Sequence, residues 1–148
     1  MIETQLAVLV RLLDNLSRTA YTYRDLDRAS YLMARALDSA GPISIQGLAR
    51  ILRLEPTTVT RKVASMEADG LIVRLSDPTD KRVSLIKLSR EGLRRMRLVR
   101  DLRRAHNDAL LSHWSDEDLK TFGELLTRYN ESLGNQPDPR RGSDLPGR

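Results

Sequence analysis

Residues 43–89 read ISIQGLARILRLEPTTVTRKVASMEADGLIVRLSDPTDKRVSLIKLS, and this stretch decides the fold. Gln46 to Leu52 reads as a short helix with Leu48, Ala49 and Leu52 on one face. Pro56 breaks it: the ring removes an N–H and pushes Glu55 out of helical geometry, and Pro suits the first turn of a new helix. That second helix, about 56–69, carries Val59, Val63 and Met66 at i, i+4 and i+7. Its opposite stripe holds Thr57, Thr58, Arg61, Lys62 and Ser65, with Thr60 alongside. Gly70 follows at the position where a left-handed backbone ends a helix.

Beyond Gly70 the hydrophobic period shifts towards 2. Residues 71–76 and 83–88 are rich in β-formers and flank the turn mixture Asp77-Pro-Thr-Asp-Lys-Arg82. Two helices in tight succession followed by a basic β-ribbon is the layout of a winged helix-turn-helix. The expected fold class is therefore mainly α with a small β-hairpin wing, plus a helical dimerisation region. A helix face of hydroxyls and cations suits a phosphate backbone, and Arg can fork onto guanine. Read alone, that face is equally a solvated surface; the ribbon tipped by Asp80, Lys81 and Arg82 tips the reading towards nucleic acid.

Thr58-Val-Thr-Arg-Lys-Val63, Met66-Glu67, Gly70-Leu-Ile72, Asp77-Pro-Thr-Asp-Lys-Arg82 and Leu88-Ser-Arg-Glu-Gly92 together resemble the MarR family of bacterial transcriptional regulators. The resemblance covers about 1–134, and its most specific part is the Asp-x-Arg wing followed by the Leu-Ser-x-x-Gly helix start. It implies a homodimeric winged helix that binds pseudo-palindromic double-stranded DNA, usually as a repressor. It also implies that Arg82 enters the minor groove and that Asp80 holds it there. Read from the residues, Asp80 has a second role open to it, an Asx-turn to its own backbone. The resemblance further implies a pocket for a small aromatic or lipophilic effector, for which Tyr21, Tyr23, Arg28 and Tyr31 offer rings, hydroxyls and a cation.

Composition bounds the alternatives. The 148 residues fit one compact domain with dimerisation arms. With only one Trp, four Tyr and one Phe, the core must be aliphatic. Net charge is +5, which favours a polyanionic partner. Cysteine is absent, which removes disulfides, thiolate zinc sites and thiol-based oxidant sensing. No apolar run approaches the ~18 residues of a membrane span, and no basic cluster leads into one, so a cytoplasmic protein is expected.

Taken in order, residues 4–20 form an amphipathic helix with Leu6, Leu9, Leu13 and Leu16 in a heptad-like seam. A helix at about 27–39, capped by Asp25 or Asp27, packs Tyr31, Leu32, Ala34 and Leu37 and ends at Gly41-Pro42. Ile43 to Ile45 is a candidate third strand, with Ser44 capping the next helix. After the wing a long helix, about 90–113, carries Leu93, Met96, and Val99 or Leu102, then Ala105, Ala109 and Leu110. Ser115 caps a last helix with a second seam of Leu119, Phe122, Leu126, Tyr129 and Leu133. The two seams at the chain ends supply a dimer interface. The expected organisation is one domain over 1–134, with a DNA-reading lobe at about 42–89 and dimerisation helices at about 4–20 and 90–134. Residues 135–148 read as a disordered tail.

Chemistry beyond binding finds no support. His106 and His113 lie two helical turns apart without a thiolate, which is the spacing of surface histidines more often than of a zinc site. No phosphate-binding glycine loop or nucleophile elbow is present, so no catalytic residues, metal or cofactor are expected. The rival readings are a helical interaction protein, which has no use for an Arg-tipped hairpin, and a nonspecific nucleic-acid binder. Single-strand stacking needs exposed aromatics that this chain lacks.

Overall fold

The computed structural model describes residues 1–19 and 26–136. Its elements are α1 (Ile2–Thr19), α2 (Arg28–Ala40), α3 (Ile45–Leu52), α4 (Pro56–Ala68), β1 (Ile72–Ser76), β2 (Ser84–Leu88), α5 (Arg90–Leu110) and α6 (Asp116–Gly134). The chain forms two compact units, Met1–His106 and a second that begins at Asn107. Mainly helical, with one antiparallel hairpin, the fold is the expected winged helix-turn-helix. The tail from residue 137 lies outside the described residues.

The core of the first unit is aliphatic. Leu48 of α3, Val59 and Val63 of α4, Ile86 of β2, and Met96 and Val99 of α5 are all fully buried. Each such side chain contributes roughly 1.5–3 kcal/mol relative to an exposed one. Burying the Val59–Val63–Met66 stripe of α4 leaves its opposite face outward. Several expected core positions are solvent-facing instead, Ala105 and Ala109 of the α5 track among them. Leu32 is 54% exposed, because at the helical period Met33 rather than Leu32 shares the buried face of Tyr31, Ala34 and Leu37. On α5 the buried track runs through Met96 and Val99 and then stops; Leu102 and Leu110 are exposed, and the helix ends at Leu110 rather than near 113.

Local chemistry fixes the joints. Asp27 caps α2 by accepting the Ser30 N–H at 2.8 Å, and Ser44 caps α3 by accepting the Gly47 N–H at 3.1 Å. The α3–α4 turn forces Arg53 into the left-handed region, φ 53° and ψ 43°. Asp69 ends α4, and Gly70 follows at φ 71°, where a Cβ would be strained. The proposed third strand is reduced to a single bridge: Ile43 and Ile86 exchange N–H···O bonds of 3.1 and 2.8 Å.

The Leu-Ser-x-x-Gly start of α5 is a lock. Ser89 Oγ donates to the Gly70 carbonyl at 2.6 Å and accepts the Gly92 N–H at 2.9 Å. The Ser89 N–H donates to the Leu71 carbonyl at 2.9 Å. One serine thus caps α5 and pins it to the turn that leads into the wing. The approach is so close that a Cβ on residue 92 would lie 2.1 Å from the Leu71 oxygen. Only glycine fits.

Candidate nucleic-acid interface

Helix α4 starts at Pro56 as the break predicts, and Glu55 supplies no side-chain cap. Thr57, Thr58, Arg61 and Ser65 are exposed on its outer face. Thr60 is exposed too, but its hydroxyl donates to the Pro56 carbonyl at 2.8 Å and so reinforces the first turn. Lys62 differs from its neighbours. Its ammonium lies 2.6 Å from Asp27 Oδ2, and only a quarter of the side chain is exposed. Asp27 therefore serves two partners, capping α2 with one oxygen and holding α4 with the other. Burial alone would raise the Asp27 pKa; the Lys62 and Ser30 bonds outweigh it and lower the value.

The wing is built from Ile72↔Leu88 to Ser76↔Ser84. Its tip is an ordered turn. Asp77 Oδ1 accepts the Thr79 hydroxyl and the Thr79 N–H, each at 2.7 Å, and these bonds hold the Asp77 carboxyl below the usual range. Asp80 Oδ1 accepts the Arg82 backbone N–H at 3.0 Å, and the Asp80 carbonyl accepts the Val83 N–H at 2.9 Å. Of the two roles open to Asp80, the Asx-turn is formed, fixing the backbone from which Arg82 projects. Lys81 and Arg82 are exposed.

Two residues absent from the sequence-derived set join this surface. Arg74 faces Ile86 across the hairpin, on the side of the ribbon that carries buried Ile72. Its Nε donates to both carboxylate oxygens of Glu67, at 3.1 and 2.9 Å. A cleft of about 350 Å³ runs between the start of α3, the start of α4 and the wing, lined by Gln46, Pro56, Thr60, Arg74, Arg82 and Ser84 among others. Strand alternation could have flagged Arg74, since Ile72 and Arg74 share a face. Gln46 carried no such signal, because its place depends on how α3 packs against the ribbon.

Of the effector candidates, Tyr21 and Tyr23 lie outside the described residues. Arg28 is exposed in the first turn of α2, while Tyr31 is 9% exposed. The Arg103 guanidinium sits 4.9 Å above the Tyr31 ring centroid, a cation–π contact that packs α5 onto α2.

Among the described residues the seams are largely uncovered. On α1, Leu9, Leu13 and Leu16 are exposed and Leu6 half-buried. In the second unit α6 has no buried residue: Leu119, Phe122, Leu126, Tyr129 and Leu133 are 36–49% exposed. Trp114 packs edge-on against Phe122, ring centroids 5.4 Å apart.

Known proteins share this architecture. The MarR family model matches residues 26–84. The uncharacterized HTH-type transcriptional regulator YxaD of Bacillus subtilis (strain 168) is 35% identical over 133 residues, 90% of this chain and 93% of that protein. Among solved structures, Streptococcus pneumoniae FabT in complex with DNA superposes with a TM-score of 0.73 at 19% identity, covering 90% of this chain and 97% of that one. PcaV from Streptomyces coelicolor, in complex with its natural ligand, gives 0.71 at 22%, covering 86% and 91%. At these identities the two structures speak for the fold, while the relative carries the kinship. The chain belongs to the MarR family, whose members are transcriptional regulators and not enzymes.

Proposed function

We propose that this regulator is a homodimer that represses transcription by binding a pseudo-palindromic operator, and that a small aromatic or lipophilic effector releases it. The observation that carries the reading is the pairing of an outward α4 face, Thr57, Thr58, Arg61 and Ser65, with a wing whose turn is braced to project Lys81 and Arg82. In this reading α4 enters the major groove and Arg82 the adjacent minor groove, with Asp80 setting the wing backbone. Thr60 and Lys62 orient the helix by their bonds to Pro56 and Asp27.

The uncovered seams support dimerisation. Long apolar rows on α1 and α6 are unusual on a monomer's surface and suit a partner helix of the same kind. Residues 1–134 then act as one domain, with a DNA-reading lobe at about 42–89 and dimerisation helices at about 4–20 and 90–134. Two reading helices must sit about 34 Å apart to meet both half-sites. A ligand that prefers a dimer of different spacing weakens operator affinity by the ratio of its affinities for the two forms. The effector site proposed is Tyr21, Tyr23, Arg28 and Tyr31. A cytoplasmic location follows from the target. Among the described residues no helix is long and apolar enough to cross a membrane.

The test is fluorescence anisotropy against duplexes selected from a random library, with a scrambled duplex beside them at ~0.15 M salt. The expected result is tight binding to the selected site alone, with two chains per site. Arg82→Ala should lose roughly 1–3 kcal/mol of binding while sedimentation shows the dimer unchanged. Binding by the variant as tight as the parent's would overturn the role of the wing.

A further inference from the structure

We infer that the cleft between α3, α4 and the wing is a seat for one phosphate of the DNA backbone, with Arg74 as its principal ligand and Gln46 at its edge. The inference rests on the DNA-binding reading above and adds a phosphate contact centred on Arg74, a residue of neither the α4 face nor the wing tip.

Three observations converge. The first is the disposition of Arg74. Glu67 takes only its Nε–H, and the two terminal nitrogens have no partner among the described residues. A guanidinium gripped on one edge keeps a planar fork of donors on the other, the geometry that phosphate oxygens accept in pairs. Because Glu67 already orders the side chain, little rotamer freedom remains to be lost on binding. The second is charge. Arg74 and Arg82 reach the cleft from separate parts of the hairpin, and no carboxylate lines it. The third is shape. The cleft, about 350 Å³, has room for a phosphate with its waters, and the Gln46 amide and the Ser84 hydroxyl add neutral donors to its lining. Such a contact holds the protein in register on the duplex without reading bases. Glu67 is accordingly a positioning residue: it aims Arg74 and touches no DNA.

The experiment measures the full-length protein on its selected duplex and on a random duplex, across a series of salt concentrations. Each phosphate neutralised contributes about 0.9 to the slope of log K against log salt. Arg74→Gln should lower that slope by about one phosphate and weaken both duplexes by the same factor, leaving the specific-to-random ratio as in the parent. Gln46→Glu, which leaves the Arg74–Glu67 pair intact, should place a repelling carboxylate in the cleft and weaken both duplexes equally, most strongly at low salt. Glu67→Gln should weaken binding with the slope retained, since the cation is still present. Thermal melts of each variant control for folding; were Arg74→Gln to melt early, Gln46→Glu decides. Unchanged slope and affinity in both cleft variants, with the parent still binding its site, would overturn the seat alone. So would a loss confined to the selected duplex. A parent that binds neither duplex would instead bring down the DNA-binding reading itself.

Discussion

Replacing Gly92 by alanine puts a methyl group 2.1 Å from the Leu71 carbonyl oxygen and 3.0 Å from its carbon. A relaxed carbon–oxygen contact is about 3.3–3.6 Å, so α5 must retreat from the turn by more than about 1 Å. The atoms that block it are backbone, which has no rotamer to yield. Retreat stretches the Ser89 N–H bond to Leu71 and the Ser89 hydroxyl bond to Gly70, now 2.9 and 2.6 Å. Two such bonds contribute about 1–3 kcal/mol net, and the displaced packing adds roughly 1–3 kcal/mol. Alanine returns up to about 1 kcal/mol as the better helix former. The balance is a loss of about 1–6 kcal/mol, centred on about 3 kcal/mol. For a chain of this size the central value lowers Tm by about 5–12 °C. Urea unfolding followed by circular dichroism, at one fixed protein concentration, gives the value directly. A variant within about 0.5 kcal/mol of the parent would refute the view that this contact sets the seat of α5.

Other perturbations probe the same structure. Arg53 holds a left-handed backbone that a side chain adopts at a cost, so Arg53→Gly should be neutral to about 1 kcal/mol stabilising and Arg53→Val clearly destabilising, both read by urea midpoint. Asp27→Asn keeps the α2 cap but removes the charge that holds Lys62, and should cost under about 1 kcal/mol because the Asp27 carboxylate is largely exposed; Asp27→Ala should cost about 1 kcal/mol more through the lost cap. Glu91 is held at about 2 by the Arg94 and Arg95 side chains. Its ordinary value is 4.5, so this contribution to stability is complete above that pH and is lost as pH falls towards 2. The Glu91 carboxyl resonance should titrate near 2 in the parent and move back towards 4.5 in the Arg94→Gln, Arg95→Gln double variant; an unmoved midpoint would dismiss the arginines as the cause.

What the sequence determined by itself was everything governed by local stereochemistry and period. Pro56 had to start a helix, Gly70 had to end one, and Ser44 and Ser115 had to cap because their side chains reach the free N–H groups of the turn that follows, while the choice of Asp27 over Asp25 at the start of α2 was left to the structure. The stripe of Val59, Val63 and Met66 fixed which face of α4 is buried, and therefore that Thr57, Thr58, Arg61 and Ser65 point outward. Only the tertiary structure decided what depends on residues distant in the chain. Lys62 and Arg61 look alike in sequence, yet Lys62 is drawn to Asp27, 35 residues away, because α2 starts beside it. Arg74 became a ligand candidate through a carboxylate on α4 and a cleft that α4 forms with α3 and the wing. Periodicity tells which side of an element faces inward; it carries no information about which charge waits there, because that is fixed by packing between segments whose mutual distance no local rule encodes.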